Sequence, residues 1–173
     1  MKYKCDSPYP SIQDLDINLK YGYMMLSNLG GLHSEMNAVS LYHYNHVIIN
    51  EEWIELANVF MHIAMVEMEH LDIFSKMCLK LGVDPRLWEC QDDFLEYWSP
   101  GYNIYPKQIY TMLKNAIFQE QNTIDIYRYQ IECIDEPIIQ NMLKRIIEDE
   151  KLHIEILQYF LKLYCEKNDR TEV

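Results

Sequence analysis

The sequence predicts an all-α protein, a four-helix up-down bundle in which a long crossover connection joins two helix hairpins. Apolar residues recur at helical spacing along four long stretches, and helix-breaking residues separate those stretches. A Glu-x-x-His motif occurs twice, at Glu67–His70 and at Glu150–His153. Because residues three apart lie on one face of a helix, each motif presents a carboxylate and an imidazole together.

The length and composition indicate one globular domain with an acidic surface. A chain of 173 residues is long enough to bury a core, and 49% of its residues are hydrophobic. The formal net charge of −12 argues against nucleic acid or an anionic membrane as a partner. The sequence contains no run of 18 apolar residues, so it predicts no membrane span.

Five scattered cysteines predict a cytoplasmic protein with free thiols. None of them forms a Cys-x-x-Cys pair, which argues against a zinc ribbon or a rubredoxin-type iron site in this chain. Their odd number and irregular spacing fit thiols that are kept reduced in the cytosol. The first residues also lack the apolar core of a signal peptide.

The first hairpin is predicted to consist of two helices that meet at Asn50. A helical pattern covers residues 18–49, although Gly30-Gly31 interrupts it. The second helix is predicted to begin directly after Asn50 and to end near residue 81, where Gly82 is a suitable stop.

The second hairpin is predicted from residue 106 to residue 167. Pro106 is favoured in the first turn of a helix, so the third helix is expected to run from there to Ile134. Asp135-Glu136-Pro137 then forms the turn, and the fourth helix continues to Lys167.

Three segments are expected to lie outside the helices of the bundle domain, which spans residues 18–167. Residues 1–17 contain two prolines and are predicted to be an irregular lead-in. Residues 83–105 are rich in aromatic side chains and are predicted to be the crossover, packed along the bundle. Residues 168–173 are expected to be a frayed tail.

The spacing of four glutamates supports this layout. In an antiparallel helix pair, residues at one level are equally far from the turn. The midpoint of Glu35 and Glu67 is position 51, and the midpoint of Glu120 and Glu150 is position 135. Both midpoints fall on predicted turns, so each pair is predicted to lie at one level.

The two hairpins also resemble each other in sequence. Residues 35–44 align with residues 120–129 with four of ten identities, including Glu-x-Asn and a tyrosine seven residues after the glutamate. This repeat predicts two equivalent half-sites related by an approximate two-fold axis.

The order Glu, Glu-x-x-His, Glu, Glu-x-x-His is the donor set that holds two metals inside a four-helix bundle. Two divalent cations bring four positive charges, which four carboxylates balance. Oxygen and nitrogen donors in this number favour iron or manganese over zinc. The predicted ligands are Glu35, Glu67, His70, Glu120, Glu150 and His153.

The predicted ligands divide between the two metals. Glu67 and Glu150 are assigned as bridging ligands. Glu35 and His70 would complete one metal site, and Glu120 and His153 would complete the other.

Residues behind the ligands are predicted as well. Asp149 precedes Glu150 and is expected to accept the proton of His70. The first hairpin has Val66 at the matching place, so the sequence provides no such partner for His153. Tyr42 and Tyr127 are expected either to hydrogen-bond the ligand carboxylates or to pack in the core. Other acidic and histidine side chains are predicted to be non-ligands, namely Glu69, Glu148, Glu155, His33, His46 and His62.

These residues and the helical layout resemble the ferritin-like di-metal carboxylate superfamily, which includes rubrerythrins, bacterioferritins and manganese catalases. The resemblance covers roughly residues 18–165. Residues 67–82 are most similar to bacterioferritin, in which the methionine of Glu-Met-x-His binds haem. That implies Met68 as a haem ligand, although the lead-in and crossover differ from that family and haem is not expected. Ile117 stands where rubrerythrins usually have another glutamate, which puts rubrerythrin-type peroxidase chemistry in question.

The resemblance implies an oxidoreductase that binds two metal ions, iron first and manganese second, and reduces peroxide or dioxygen. An external donor would supply the electrons. Alternatives are manganese-dependent peroxide disproportionation, ferrous iron oxidation and storage, and a metal-free helical adaptor. We expect a homo-oligomer, a dimer or larger. The sequence does not distinguish the metals, nor catalysis from storage.

Overall fold

Five α-helices and one β-hairpin make up the regular structure of residues 1–91 and 94–169, which this computed structural model describes. In chain order the elements are α1 (Leu19–Gly30), α2 (Glu35–Ile49), α3 (Ile54–Lys80), β1 (Trp88–Gln91), β2 (Phe94–Tyr97), a 3₁₀ turn (Pro100–Tyr102), α4 (Ile109–Cys133) and α5 (Pro137–Asp169). The predicted four-helix bundle is confirmed, because α2 packs on α3 and α4 packs on α5. None of these helices has both the length and the apolar character needed to cross a bilayer.

The helical pattern predicted over residues 18–49 is divided into two helices, α1 and α2, and the break lies at the predicted interruption, Gly30-Gly31. At the end of α1, an ideal Cβ on Gly30 would lie 2.6 Å from the backbone nitrogen of Trp88. The crossover therefore packs directly against the backbone of the last turn of α1. Only glycine leaves room for this close approach.

A side chain from α2 holds the break in place. Asn37 Nδ2 donates to the carbonyl oxygen of Gly31 at 3.2 Å and also to that of Leu32. Leu32 is 48% exposed, because the helical register of α1 ends before it. The break makes Glu35 the first residue of α2.

The crossover runs beside α1 and α2 along the bundle. Near its start, Val83 packs against α1. Farther along, Trp98 Nε1 donates to Asn37 Oδ1 at 2.6 Å. At its end, the ring of Tyr105 lies edge-on to that of Tyr44, with centroids 4.8 Å apart. The connection thus returns the chain to the end of the bundle where α2 turns into α3, and α4 starts there.

The crossover contains a β-hairpin that the sequence did not predict. Strands β1 and β2 pair antiparallel, with Trp88 opposite Tyr97. The hairpin is an exception to the all-α prediction. Each strand has only four residues, and all four side chains of β2 are exposed, so no alternating pattern marked them.

Two predicted helix starts are also wrong by a few residues. After α2, the backbone nitrogen of Trp53 donates to the carbonyl oxygen of Ile49 at 2.8 Å, so a tight turn delays α3 until Ile54. Helix α4 begins at Ile109 instead of Pro106, because Gln108 is still extended. The predicted stop at Gly82 agrees with its φ of +91°, a conformation that glycine adopts readily after a helix.

The chain termini lie outside the bundle helices to different extents. Residues 1–18 contain no helix or strand. At the other end, α5 continues two residues beyond the predicted end at Lys167. Residues 170–173 of the predicted frayed tail lie outside the described residues.

Two apolar cores lie on either side of a polar layer. One core, which includes Leu26 and Ile139, is at the end where α4 turns into α5. The other, which includes Ile49 and Ile109, is at the end where α2 turns into α3. The buried carboxylates and imidazoles of the bundle lie between them.

Replacing Gly30 with alanine should destabilise the protein by about 1–3 kcal/mol, because the new methyl group would meet backbone atoms that cannot rotate away. The matched control is Gly101→Ala, where a Cβ meets only the Ser99 hydroxyl at 3.3 Å. Its effect should stay within about 0.5 kcal/mol. Urea unfolding of both variants measures the difference, and a Gly30→Ala variant as stable as the wild type would contradict the packing described here.

Candidate metal centre

Six titratable side chains from four helices meet inside the bundle. They come from the start of α2, from the middle of α3 and α4, and from the middle of α5. Each is at most 3% exposed. The residues are Glu35, Glu67, His70, Glu120, Glu150 and His153, the six predicted from the sequence.

The six residues form two overlapping groups of four. Glu35 and His70 belong to one group, Glu120 and His153 belong to the other, and Glu67 and Glu150 belong to both. Within each group, one potential ligand atom per residue lies within 4.8 Å of all the others. The two shared carboxylates therefore lie where bridging ligands between two cations would lie.

Both histidines point the same ring nitrogen into the cluster. His70 Nδ1 lies 3.1 Å from Glu67 Oε2 and 3.2 Å from Glu150 Oε1. His153 Nδ1 lies 2.9 Å from Glu67 Oε1 and 3.2 Å from Glu150 Oε2. Each imidazole thus faces both shared carboxylates, as the internal repeat predicts.

The outer ring nitrogens have different partners in the two halves. His70 Nε2 donates to Asp149 Oδ2 at 3.2 Å. His153 Nε2 lies 3.0 Å from the carbonyl oxygen of Tyr3. Because a carbonyl oxygen only accepts, Nε2 carries a hydrogen, and the neutral ring has its lone pair on Nδ1. This tautomer lets Nδ1 bind a cation in the cluster.

The Tyr3 carbonyl is a functional group that sequence reasoning missed. It belongs to the irregular lead-in, and a backbone oxygen has no residue type that could reveal it. Val66, the residue of the first hairpin that matches Asp149, is apolar and cannot accept a hydrogen bond from His153. The Tyr3 carbonyl oxygen is the acceptor instead.

The lead-in is tied to Asp149 as well. Asp149 accepts hydrogen bonds from the Tyr9 hydroxyl and from the backbone nitrogen of Cys5, both at 2.7 Å. It also pairs with buried Arg145, whose Nη1 lies 2.8 Å away. Arg145 Nε in turn donates to the Ser7 carbonyl oxygen at 2.6 Å. The position of Arg145, four residues before Asp149, was a readable sign of this ion pair.

Two tyrosines connect the terminal glutamates across the hairpins. The Tyr42 hydroxyl of α2 donates to Glu120 of α4, and the Tyr127 hydroxyl of α4 donates to Glu35 of α2. Both tyrosines are almost fully buried. Each fixes one carboxylate oxygen of a glutamate on the opposite hairpin, so the two hairpins hold each other's terminal carboxylates.

The charges in the cluster balance internally when no cation is bound. Burial raises the pKa of Glu35 well above its ordinary value, with a hydrogen bond to His70 opposing this and the charge of Glu67 adding to it. Burial and the charge of Glu67 likewise raise the pKa of Glu120. Burial opposes ionisation of Glu67, but the nearby imidazoles, His153 first, hold its pKa below the usual range. Burial alone would lower the pKa of His153, but the negative charge of Glu67 outweighs burial. The pKa of His153 is therefore well above its ordinary value.

The donor set fits two divalent cations. Glu67 Oε1 and Glu150 Oε1 are buried oxygens that make no hydrogen bond in the described part of the chain, although an imidazole Nδ1 lies 2.9 Å from the first and 3.2 Å from the second. Four carboxylates and two Nδ1 atoms supply hard oxygen and imidazole nitrogen donors, the kind that iron and manganese bind. The charge of four carboxylates equals that of two divalent cations.

The residues predicted as non-ligands lie apart from the cluster. Glu148 and Glu155 are exposed, and Glu69 pairs with Lys4 at 2.8 Å on a half-exposed surface. Met68 is 54% exposed on the outer face of α3. The three histidines predicted as non-ligands are absent from both groups of four, with His46 bonded to the Ala57 carbonyl oxygen, His62 stacked on Tyr3 and His33 half-buried.

Comparisons with known proteins agree with this architecture. The family model described as rubrerythrin matches residues 30–161. The structure of KatB, a manganese catalase from Anabaena, has a TM-score of 0.82 at 16% identity, covering 95% of this chain and 81% of that chain. A bacterioferritin from Rhodobacter capsulatus, with a metal-free dinuclear site and haem iron, has a TM-score of 0.72 at 20% identity, covering 87% of this chain and 89% of that chain. These likenesses confirm the ferritin-like fold. No functionally curated protein matches the sequence significantly.

Replacing Glu35 with glutamine should separate metal affinity from stability. Glutamine resembles the neutral carboxyl and keeps an acceptor for Tyr127, so the metal-free protein should unfold at the same temperature or higher. The loss of one anionic donor should weaken metal binding by at least about 10-fold. Metal titration and thermal unfolding measure the two effects. Glu155→Gln on the exposed face is the control and should change neither, and unchanged affinity in Glu35→Gln would argue against its place in the centre.

Arg145→Met should be severely destabilising, by about 3–5 kcal/mol, because it leaves the Asp149 charge buried without its cation. Arg128→Met is the matched control. Arg128 pairs with Asp125 at 3.1 Å, but both side chains are more than half exposed, so its loss should cost less than about 1 kcal/mol. Equal unfolding midpoints in urea for the two variants would contradict the role given to Arg145.

Proposed function

Because the chain belongs to the rubrerythrin family, we propose that its buried carboxylate and imidazole layer holds two metal ions and is the centre of an oxidoreductase. One observation carries this proposal above the others. Two groups of four ligand atoms share Glu67 and Glu150, which suits a pair of neighbouring cations and has no simpler structural use. Without cations, Glu35 and Glu120 must stay protonated for the layer to be neutral, whereas two divalent cations would let all four carboxylates ionise in the apolar bundle.

We assign the ligands by their position in the two groups. Glu67 and Glu150 would bridge the metals. Glu35 and His70 would complete one metal site, with Glu120 and His153 at the other. We propose iron as the native metal and manganese as the second candidate, since both accept this mixture of oxygen and nitrogen donors.

The proposed reaction is the reduction of a hydroperoxide or of dioxygen. Two bound metal ions would supply electrons, Lewis acidity and open coordination positions. Reducing hydrogen peroxide to two water molecules consumes two electrons and two protons, and an external donor must then restore the electrons. Around the reacting atoms, Tyr42 and Tyr127 hold the terminal carboxylates, and Asp149 and the Tyr3 carbonyl hold the imidazoles.

Manganese-dependent disproportionation of peroxide is the second candidate function. It is favoured by the likeness to the manganese catalase KatB, which extends over 95% of this chain. Disproportionation converts two peroxides into one dioxygen and two waters, so it needs no external donor. This difference allows the two functions to be separated by assay.

Iron oxidation and storage is a third candidate, supported by the likeness to a bacterioferritin. Storage requires a closed assembly, whereas a reductase needs only a small oligomer. The outer faces of α2 and α3 expose apolar side chains, including Val47, Met65 and Met68, which supports self-association of some kind. Haem binding at Met68 and a cytoplasmic location both stay predictions. Size-exclusion chromatography would show a cage directly.

Protein loaded with ferrous iron should consume no more than one hydrogen peroxide per pair of irons without a donor, should turn over further only when an electron donor is present, and should release no dioxygen. Protein loaded with manganese and acting as a catalase would instead release one dioxygen per two peroxides without a donor. Peroxide absorbance and an oxygen electrode measure both. Glu150→Ala should lose more than about 100-fold in rate, the upper end of the loss seen when a residue behind a ligand is changed.

The control for this assay is Glu155→Ala, which should keep the wild-type rate because Glu155 is exposed and outside the cluster. If neither loaded form reacts with peroxide or dioxygen faster than Glu150→Ala, the proposed oxidoreductase function is wrong.

A further inference from the structure

A small cavity lies beside the metal layer, between the start of α2 and the middle of α4. Its volume is about 20 Å³, more than the roughly 10–15 Å³ that one water needs, so it has room for one small molecule. The inner wall includes the predicted ligand Glu120 and its tyrosine partner Tyr42, and the outer wall includes His33 and Ser34. The cavity therefore connects a predicted metal ligand with polar side chains nearer the surface.

Two polar groups of the outer wall have no partner. Ser34 is 95% buried, since only 5% of it is exposed, and its hydroxyl makes no hydrogen bond within the described ranges. Ser34 is the N-cap of α2, yet its side chain does not cap the helix. His33 Nδ1 is likewise buried without a partner there. A buried polar group is normally satisfied, so these two point to a polar guest.

Two other polar side chains of the wall, Asn37 and Asn103, are already occupied. The amide of Asn37 donates to two carbonyl oxygens and accepts from Trp98 Nε1 at 2.6 Å. Asn103 Nδ2 donates to the Asn37 carbonyl oxygen at 3.0 Å and to Ser40 Oγ at 2.8 Å. These bonds fix the crossover against α2 and keep the cavity wall in shape, while Ser34 and His33 remain available.

His33 also borders a larger depression that is open to solvent. This depression has a volume of about 390 Å³ and is lined by Asn122, Asp125, Ile126 and Tyr129 of α4 together with His33. His33 thus lines both the solvent-open depression and the cavity that contains Ser34 and Glu120.

The internal repeat shows that this access is one-sided. The alignment of Glu35 with Glu120 pairs Ser34 with Gln119 and His33 with Phe118. Ser34 and Gln119 both line the cavity, so it lies near the approximate two-fold axis, but Glu35 is not in its wall. The guest therefore meets the half-site of Glu120 and His153 first.

We propose that this cavity binds hydrogen peroxide on its way to the metal layer, with Ser34 and His33 as its hydrogen-bonding partners. The proposal rests on the proposed function and specifies its substrate. A volume of about 20 Å³ excludes bulky alkyl hydroperoxides. Two unpartnered polar groups favour a guest that both donates and accepts hydrogen bonds, which peroxide does and dioxygen does not.

The kinetic test compares Ser34→Ala with Ser75→Ala in metal-loaded protein. Ser34→Ala should raise KM for hydrogen peroxide about five-fold, the effect of one ordinary hydrogen bond, with metal content and kcat unchanged. Ser75 bonds only to the Leu71 carbonyl oxygen of its own helix, so Ser75→Ala should match the wild type. Wild-type protein should consume tert-butyl hydroperoxide at least about 10-fold more slowly than hydrogen peroxide. An unchanged KM in Ser34→Ala, or equal rates with both hydroperoxides, would overturn the proposal.

A second readout does not depend on turnover. Ala38 lines the cavity, and Ala38→Leu should fill it while leaving the ligands in place. Azide titration of metal-loaded protein, followed by absorbance, should show binding weakened at least about five-fold in Ala38→Leu and in Ser34→Ala. A crystal structure of metal-free wild type should also show an ordered solvent molecule bonded to Ser34 Oγ. Azide affinity equal to the wild type in both variants, or an empty cavity in the crystal, would overturn the proposal.

These readouts distinguish a failure of the proposed peroxide cavity from a failure of the proposed oxidoreductase function. If the wild type binds azide through the cavity but does not react with any peroxide, the oxidoreductase function fails and the access route stands. If it reacts with peroxide and neither variant changes KM or azide affinity, the function stands and the access route fails.

Discussion

Four carboxylates buried in an apolar helix bundle need positive charge around them, and this requirement organises the whole chain. In the metal-free protein the two imidazoles supply it to Glu67 and Glu150 while burial keeps Glu35 and Glu120 neutral, and two cations would supply it to all four carboxylates. The polar layer lies between two apolar cores, one at each end of the bundle. Because each hairpin places its glutamates equally far from its turn, both contribute half of the layer at one level.

The irregular segments are as important to the site as the helices. The lead-in gives a carbonyl oxygen to His153 and hydrogen bonds to Asp149, so it covers the imidazole side of the layer. The crossover fixes Asn37 and the start of α2, beside which Glu35 and the cavity lie. The bundle helices position the six carboxylate and imidazole side chains. The lead-in holds His153 and Asp149 from behind, and the crossover holds the start of α2 beside the cavity.

The sequence predicted what depends on helical periodicity and missed what depends on tertiary contact. The six cluster residues were found because side-chain direction repeats along a helix, so spacing alone brings Glu67 and His70 to one face. The interruption at Gly30-Gly31 was predicted, but the complete division into two helices was not, because it follows from the close approach of the crossover backbone. The Tyr3 carbonyl carried no sequence signal at all. His33 was predicted to be a non-ligand, and only the structure shows that it lines both the cavity and the solvent-open depression.

The most direct test of the dinuclear centre is anomalous X-ray diffraction from crystals of protein purified anaerobically and loaded with iron or manganese. The predicted result is two anomalous peaks per chain between Glu67 and Glu150, roughly 3.5–4 Å apart as in other two-metal sites. One peak should lie beside His70 Nδ1 and the other beside His153 Nδ1. The absence of any peak in this layer after reconstitution would contradict the central claim, as would a single peak elsewhere in the chain.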